Sequence, residues 1–235
     1  MKEKALLILK WMGTCLLYLL LVSIVSSVLE EIVSPSRASL DAYLRKGVSN
    51  FIALFLLIND VSMALALPLL RKGYDLLGVP EAQENRRWSW GKIGLCAVVV
   101  GALIQATSIF IGMLYFWGLE RGVTETLFFS LSPFFYFLTA CLFAPLLEEL
   151  FFRRLLDRLM NRQSTLSYAL LSGISFGLFH IQPYNSLSFT IFAVLETGTA
   201  GFLFAILYRK SGTLSMPILA HSSMNLFAFL LARVL

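Results

Sequence analysis

One stretch of the sequence decides the fold: Ala144-Pro145-Leu146-Leu147-Glu148-Glu149-Leu150-Phe151-Phe152-Arg153-Arg154. It overlaps the end of an uncharged run, Thr126 to Leu147, that has the length of a helix crossing a lipid bilayer. An ionised side chain at the centre of such a helix costs roughly 2.5–3.5 kcal/mol on the insertion scale. Charges gathered at this point therefore need partners, a function, or both.

The spacing of these charges predicts one internal pair. On a helix, Glu149 and Arg153 are four residues apart and share a face, so they can neutralise each other. Glu148 lies about 100° round the helix axis from Glu149 and is left to face something else. The alternative is that the helix ends at Leu147 and that the charges lie at the membrane surface.

The composition points to an all-α, polytopic membrane protein. The chain has 235 residues, of which 58% are hydrophobic and 14% charged, and its mean hydropathy is +0.78. We expect a single integral-membrane domain over residues 1–235, with a retained first span and three packing cysteines. Seven transmembrane segments are predicted, at about 5–29, 49–70, 93–117, 126–158, 165–181, 187–208 and 213–233.

The basic residues indicate an orientation. Of the 19 lysines and arginines, all but five fall on one side when the spans alternate. The five are Arg37, Arg45, Lys46, Arg121 and Arg233. Because cytoplasmic loops are rich in Lys and Arg, we expect the N-terminus in the cytoplasm. The positive net charge is thereby explained without a nucleic-acid partner, and membrane lipids are the expected surroundings.

Polar groups in the later spans are predicted to converge. Glu148 and His180 lie at similar distances, roughly 22–25 Å, from a turn near Gln163-Ser164. Glu196 and His221 flank the next turn on the same side, and Asn225 lies one turn beyond His221. Carboxylates, imidazoles and an amide thus share one depth within the membrane.

These groups suit amide hydrolysis by water. A carboxylate with a histidine can remove a proton from water, and a second histidine with an amide can stabilise a tetrahedral oxyanion. Ser222 and Ser223 flank His221 but have no evident base, so no serine nucleophile is predicted.

Three motifs carry a resemblance to a known family. They are Glu148-Glu149-x-x-x-Arg153, Phe176-x-x-x-His180 and His221-x-x-x-Asn225, on separate apolar helices. Together they resemble the motifs of the CAAX protease and bacteriocin-processing (CPBP, or Abi) intramembrane proteases. The resemblance covers residues 126–233, the expected catalytic core. Family members are usually drawn with about eight helices, and an eighth would fit best in residues 30–48.

The resemblance implies roles for the motif residues. Glu148 would activate water with His180, His221 and Asn225 would form the oxyanion site, and Glu149 and Arg153 would hold the geometry. Phe176 and Glu196 are the further supporting residues in our prediction. The substrate class implied is a lipidated or other membrane-associated peptide or protein, and the compact chain resembles bacterial, plasma-membrane members.

Other readings of the same residues remain open. Glu148, His180 and His221 are a plausible zinc set, although we favour a mechanism without a metal cofactor, since the ligands come from separate helices. A non-catalytic bacteriocin-immunity or scaffold protein is a second alternative. A proton-coupled transporter is a third, but its expected paired, broken helices are not evident in the two halves of the chain.

Overall fold

The computed structural model is all-helical in the residues that it describes. It describes residues 2–33, 48–79, 81, 84–116, 133–160, 163–181 and 186–234. These residues form seven helices: α1 Lys2–Val33, α2 Val48–Leu76, α3 Trp90–Phe116, α4 Pro133–Met160, α5 Thr165–Phe179, α6 Leu187–Ser211 and α7 Ser215–Val234.

The predicted helical membrane bundle is confirmed. Helices α1, α3, α4 and α6 each contain a stretch long and apolar enough to cross a bilayer, and α5 and most of α7 are shorter apolar helices. Helices suit this environment because they satisfy every backbone polar group internally. α4 runs on past the two glutamates, so the alternative in which it ends at Leu147 is wrong. Most of the segment proposed for an eighth helix, residues 34–47, lies outside the described residues.

The chain divides into two compact units. The first comprises Met1–Glu81 and Thr124–Thr139, and the second comprises Ala82–Val123 and Ala140–Leu235. In the first, α1 and α2 are joined by hydrogen bonds between Thr14 and Tyr74 (2.8 Å) and between Ser26 and Ser62 (2.9 Å). Hydroxyl pairs of this kind join helices where apolar burial gives no driving force.

Small residues set the packing of α5 on α6 in the second unit. Gly173 and Gly177 are four residues apart on α5. A Cβ added to Gly173 would lie 2.6 Å from a carbonyl oxygen of α6, and one added to Gly177 would lie 2.5 Å from another. In the reverse direction, a Cβ on Gly201 would lie 2.7 Å from the Cβ of Phe176. The two backbones therefore approach as closely as glycine permits, which fixes the position of Phe176.

Two further contacts join the neighbouring helices: α3 packs on α7, and α6 is bonded to the end of α4. Ala97 and Gly101 of α3 pack on α7, where a Cβ on Gly101 would lie 2.7 Å from the backbone nitrogen of Met224. At the other end, Arg209 of α6 donates to Asp157 at 2.8 Å and to the carbonyls of Met160 and Gln163. Arg209 thereby ties α6 to the end of α4 and the turn into α5.

The contact at Gly177 leads to a stability prediction. Gly177→Ala should lower the free energy of unfolding by about 1–3 kcal/mol, because the added methyl group forces two backbones apart. Thermal or denaturant unfolding in one detergent would measure it.

Gly94 of α3 is the matched control, since a Cβ there meets nothing within 4 Å. Gly94→Ala should be neutral or stabilising by up to about 1 kcal/mol, from helix propensity alone. Equal effects of the two substitutions would contradict the close approach of α5 and α6.

Candidate active site

Two π-helical turns in α4 flank the acidic pair. They cover Thr139–Phe143 and Leu150–Leu155, with the α-helical segment Ala144–Glu149 between them. A π turn adds one residue to a turn of helix, which changes the direction of the side chains that follow, and such turns are frequent at functional sites. The helix is therefore irregular on both sides of Glu148 and Glu149.

Asn225 bonds the backbone of the first of these turns, where Pro145 lacks a donor. In the π pattern the N–H of residue 145 would bond the carbonyl of Ala140, but proline has no N–H. The side chain of Asn225 donates to that carbonyl instead, at 2.6 Å. One amide hydrogen of Asn225 thus replaces a missing backbone donor, and its other hydrogen is still available to a ligand.

Glu149 and Arg153 form the predicted ion pair. Both side chains are completely buried; Nη2 of Arg153 donates to Oε1 at 3.1 Å, and Nε lies 2.7 Å from Oε2, close but not aligned as a hydrogen bond. The guanidinium also faces the rings of Phe176 and Phe204, at 5.1 and 5.9 Å from their centroids. The pair is thus neutralised in an apolar, aromatic surrounding, which a buried charge requires.

Polar side chains of α5 complete this pair and hold the second π turn. The buried hydroxyl of Ser172 accepts a hydrogen bond from Nη1 of Arg153 and donates to the carbonyl of Phe152 at 3.1 Å. The hydroxyl of Tyr168 donates to the carbonyl of Arg153 at 3.2 Å. Sequence reasoning missed both residues; the available signal was a serine four residues before Phe176, on the same face of an apolar helix.

His221 lies against the other side of Glu149. Its Nδ1 is 3.2 Å from Oε1 of Glu149, and its ring is stacked on Phe204 and meets Phe176 edge to face. An ionised carboxylate only accepts hydrogen bonds, so the network assigns the proton to Nδ1. Glu149 therefore orients His221, with Nε2 directed away from it.

Nε2 of His221 points toward Glu148. It lies 3.9 Å from Oε2 of Glu148, whose side chain is 18% exposed to solvent. That separation is too long for a direct hydrogen bond but can be bridged by one oxygen atom bonded to both groups. Sequence reasoning paired Glu148 with His180, so the contact with His221 is a new finding.

His180 is the residue that ends α5. Its Nδ1 lies 2.7 Å from the carbonyl of Phe176, which again assigns the proton to Nδ1 and leaves Nε2 as an acceptor. Its ring centroid is 4.6 Å from that of Phe176, and the ring centroid of His221 is 5.5 Å from the same phenyl ring. Phe176 thus contacts both imidazoles: that of His180 through its carbonyl and its ring, and that of His221 through its ring alone.

The remaining expected residues are placed as follows. Glu196 is half-buried in the middle of α6, five residues before Gly201. As for zinc, no three His, Cys, Asp or Glu side chains are grouped to hold a metal ion in the described part of the chain.

Comparisons with known proteins indicate a family for this part of the chain. Residues 130–227, which include all three motifs, match the family model described as type II CAAX prenyl endopeptidase Rce1-like. The chain is 31% identical over 88 residues to a Bacillus subtilis (strain 168) protein named "Putative membrane peptidase YdiL". That alignment covers 37% of this chain and 33% of the relative, so the chain spans about a third of the relative's length. No solved structure matches. The CAAX protease-like resemblance predicted from the motifs is thus confirmed: residues 130–227 are similar to the Rce1-like family.

Proposed function

We propose that this membrane protein is an intramembrane endopeptidase that hydrolyses a peptide bond of a membrane-associated or lipidated peptide. The observation that carries the proposal is the 3.9 Å approach of Glu148 to His221, next to a buried Glu149–Arg153 pair. A carboxylate and an imidazole at this distance can both contact a single water oxygen. The family and the name of the Bacillus relative, a peptidase, support the reaction class.

The proton transfers begin at Glu148. Its carboxylate removes a proton from water as the water oxygen bonds to the carbonyl carbon of the substrate. The same group then gives that proton to the nitrogen of the leaving amine, as the carbon–nitrogen bond breaks. His180, whose Nε2 is an acceptor, is proposed as the second group that orients the water.

The oxyanion would be stabilised from α7. With Nδ1 bonded to Glu149, Nε2 of His221 is a donor when the imidazole is doubly protonated. The second amide hydrogen of Asn225 is another donor on the same face of that helix, four residues away. Glu149 fixes the direction of the imidazole, and the bond to Ala140 fixes that of the amide. Preorganised donors of this kind lower the barrier because they need no reorientation during the reaction.

The setting of the enzyme is part of the proposal. The distribution of lysines and arginines supports a cytoplasmic N-terminus, and the Bacillus relative supports a bacterial cell membrane. The partners are membrane lipids and the peptide substrate, with no nucleic acid and no metal cofactor.

Substitution of Glu148 tests the proposal directly. Glu148→Gln keeps the shape of the side chain but cannot accept the proton, so kcat for a lipidated reporter peptide should fall about 10²–10⁴-fold. Purified protein in proteoliposomes and mass spectrometry of the products would measure this.

Glu81→Gln is the matched control, because Glu81 is an exposed carboxylate paired with Arg71. It should cleave like the parent protein. Cleavage that survives in Glu148→Gln would remove Glu148 from the mechanism. Failure of the parent protein to cleave any member of a broad peptide library would favour an immunity or scaffold function.

Metal removal separates the two hydrolytic mechanisms. Cleavage should be unchanged after incubation with a strong zinc chelator and dialysis, because we propose that Glu148 activates water without a metal ion. Activity that is lost with the chelator and restored by zinc would show the metal-dependent mechanism instead.

A double-mutant cycle tests the buried ion pair. Glu149→Gln and Arg153→Met should each lower the free energy of unfolding by about 3–5 kcal/mol, because each leaves an uncompensated buried group. The double variant should lose clearly less than the sum. Denaturant unfolding in detergent would give all three values.

Glu81→Gln and Arg71→Met provide the control cycle at an exposed pair 2.9 Å apart. There each substitution should change stability by less than about 1 kcal/mol. Additive, small effects at Glu149 and Arg153 would contradict their burial as a pair.

A further inference from the structure

The segment that precedes α3, residues 84–89, is fixed to the turn between α6 and α7. The N–H of Arg87 donates to the carbonyl of Ser211 at 2.7 Å, and the hydroxyl of Thr213 donates to Glu84 at 3.3 Å. Gly212 ends α6 with φ of +71°, and a Cβ there would lie 1.9 Å from the carbonyl oxygen of Asn85. Only glycine fits both the conformation and the contact, so segment and turn form one structure.

Fixing the segment leaves its cations exposed. Arg86, Arg87 and Lys92 all project from the segment and from the first turn of α3, and Lys210 is exposed next to Ser211. The acid among them, Glu84, is already engaged by Thr213 and lies 4.0 Å from Arg154. This surface therefore has a net positive charge. We call these four cations, with Trp88 and Trp90, the basic loop patch.

Two tryptophans place the patch at the lipid headgroups. Trp90 is 59% exposed and is the first residue of the apolar stretch Trp90–Gly112. Arg86 lies over the ring of Trp90 at 4.8 Å, and Lys92 lies over the ring of Trp88 at 4.2 Å. Tryptophan prefers the membrane–water interface, so the cations stacked on these rings lie at the depth of the lipid phosphates.

We propose that the basic loop patch binds the headgroup of an anionic phospholipid. Four exposed cations held on a fixed segment match a phosphodiester and favour a lipid with net negative charge over a zwitterionic one. The position of the tryptophans selects a bilayer lipid rather than a soluble phosphate. The patch adjoins the turn that begins α7, the helix of His221 and Asn225, so a bound headgroup stabilises the start of that helix.

A lipid titration tests the proposal independently of any peptidase activity. Protein in a neutral detergent is titrated with phosphatidylglycerol or with phosphatidylcholine, and the thermal unfolding midpoint gives an apparent affinity for each. Phosphatidylglycerol should bind about tenfold more tightly or better. Arg86→Gln with Arg87→Gln should weaken it about ten- to thirty-fold, since each cation near the surface contributes roughly one factor of five.

Two control pairs make the result specific. Arg86→Lys with Arg87→Lys keeps the charge and should retain the preference. Arg71→Gln with Lys72→Gln removes equal charge on the same predicted side of the membrane but in the other unit, and should also retain it. Equal binding of the two lipids by the parent protein, or equal weakening by the Arg71 and Lys72 pair, would overturn the proposal. So would displacement of the lipid by soluble glycerol phosphate at millimolar concentration.

Discussion

The buried ion pair of Glu149 and Arg153 is the constraint on which the rest of the second unit depends. A carboxylate and a guanidinium with no exposed surface are tolerated only if they neutralise each other and are surrounded by further partners. Those partners come from different helices: Ser172 from α5, His221 from α7, and the aromatic faces of Phe176 and Phe204 from α5 and α6. Four helices therefore owe their mutual arrangement to one charge pair.

The irregular backbone of α4 is what lets the other helices reach it. A regular α-helix uses its carbonyls internally, whereas the two π turns and Pro145 leave carbonyls that accept from outside the helix. Asn225 bonds Ala140, Tyr168 bonds Arg153, and Ser172 bonds Phe152. Where internal hydrogen bonds of α4 are missing, hydrogen bonds to α5 and α7 thus take their place.

The sequence allowed the helices and their membrane character to be predicted, because apolar runs of this length have few other solutions. Spacing also predicted the pairing of Glu149 with Arg153, since residues four apart on a helix face the same way. The partners of His221 could not be predicted in this way. They depend on how each helix is rotated about its axis, and the two π turns change that rotation within α4. The Gly173-x-x-x-Gly177 spacing could have predicted the close approach of α5 to α6. The contacts of Ser172 and Tyr168 with α4 can be inferred only once that approach is known.

The bond between Asn225 and the carbonyl of Ala140 changes how mutations at residue 225 should be interpreted. An asparagine used only to bind a negatively charged oxygen would be dispensable to the folded protein. Here the same amide group also substitutes for the donor that Pro145 lacks, so an aspartate or leucine in its place removes a backbone partner as well as a ligand. An inactive variant at this position is ambiguous until Pro145→Ala, which restores the N–H, is combined with it. Only a defect that persists in the combined variant belongs to chemistry rather than to the architecture of α4.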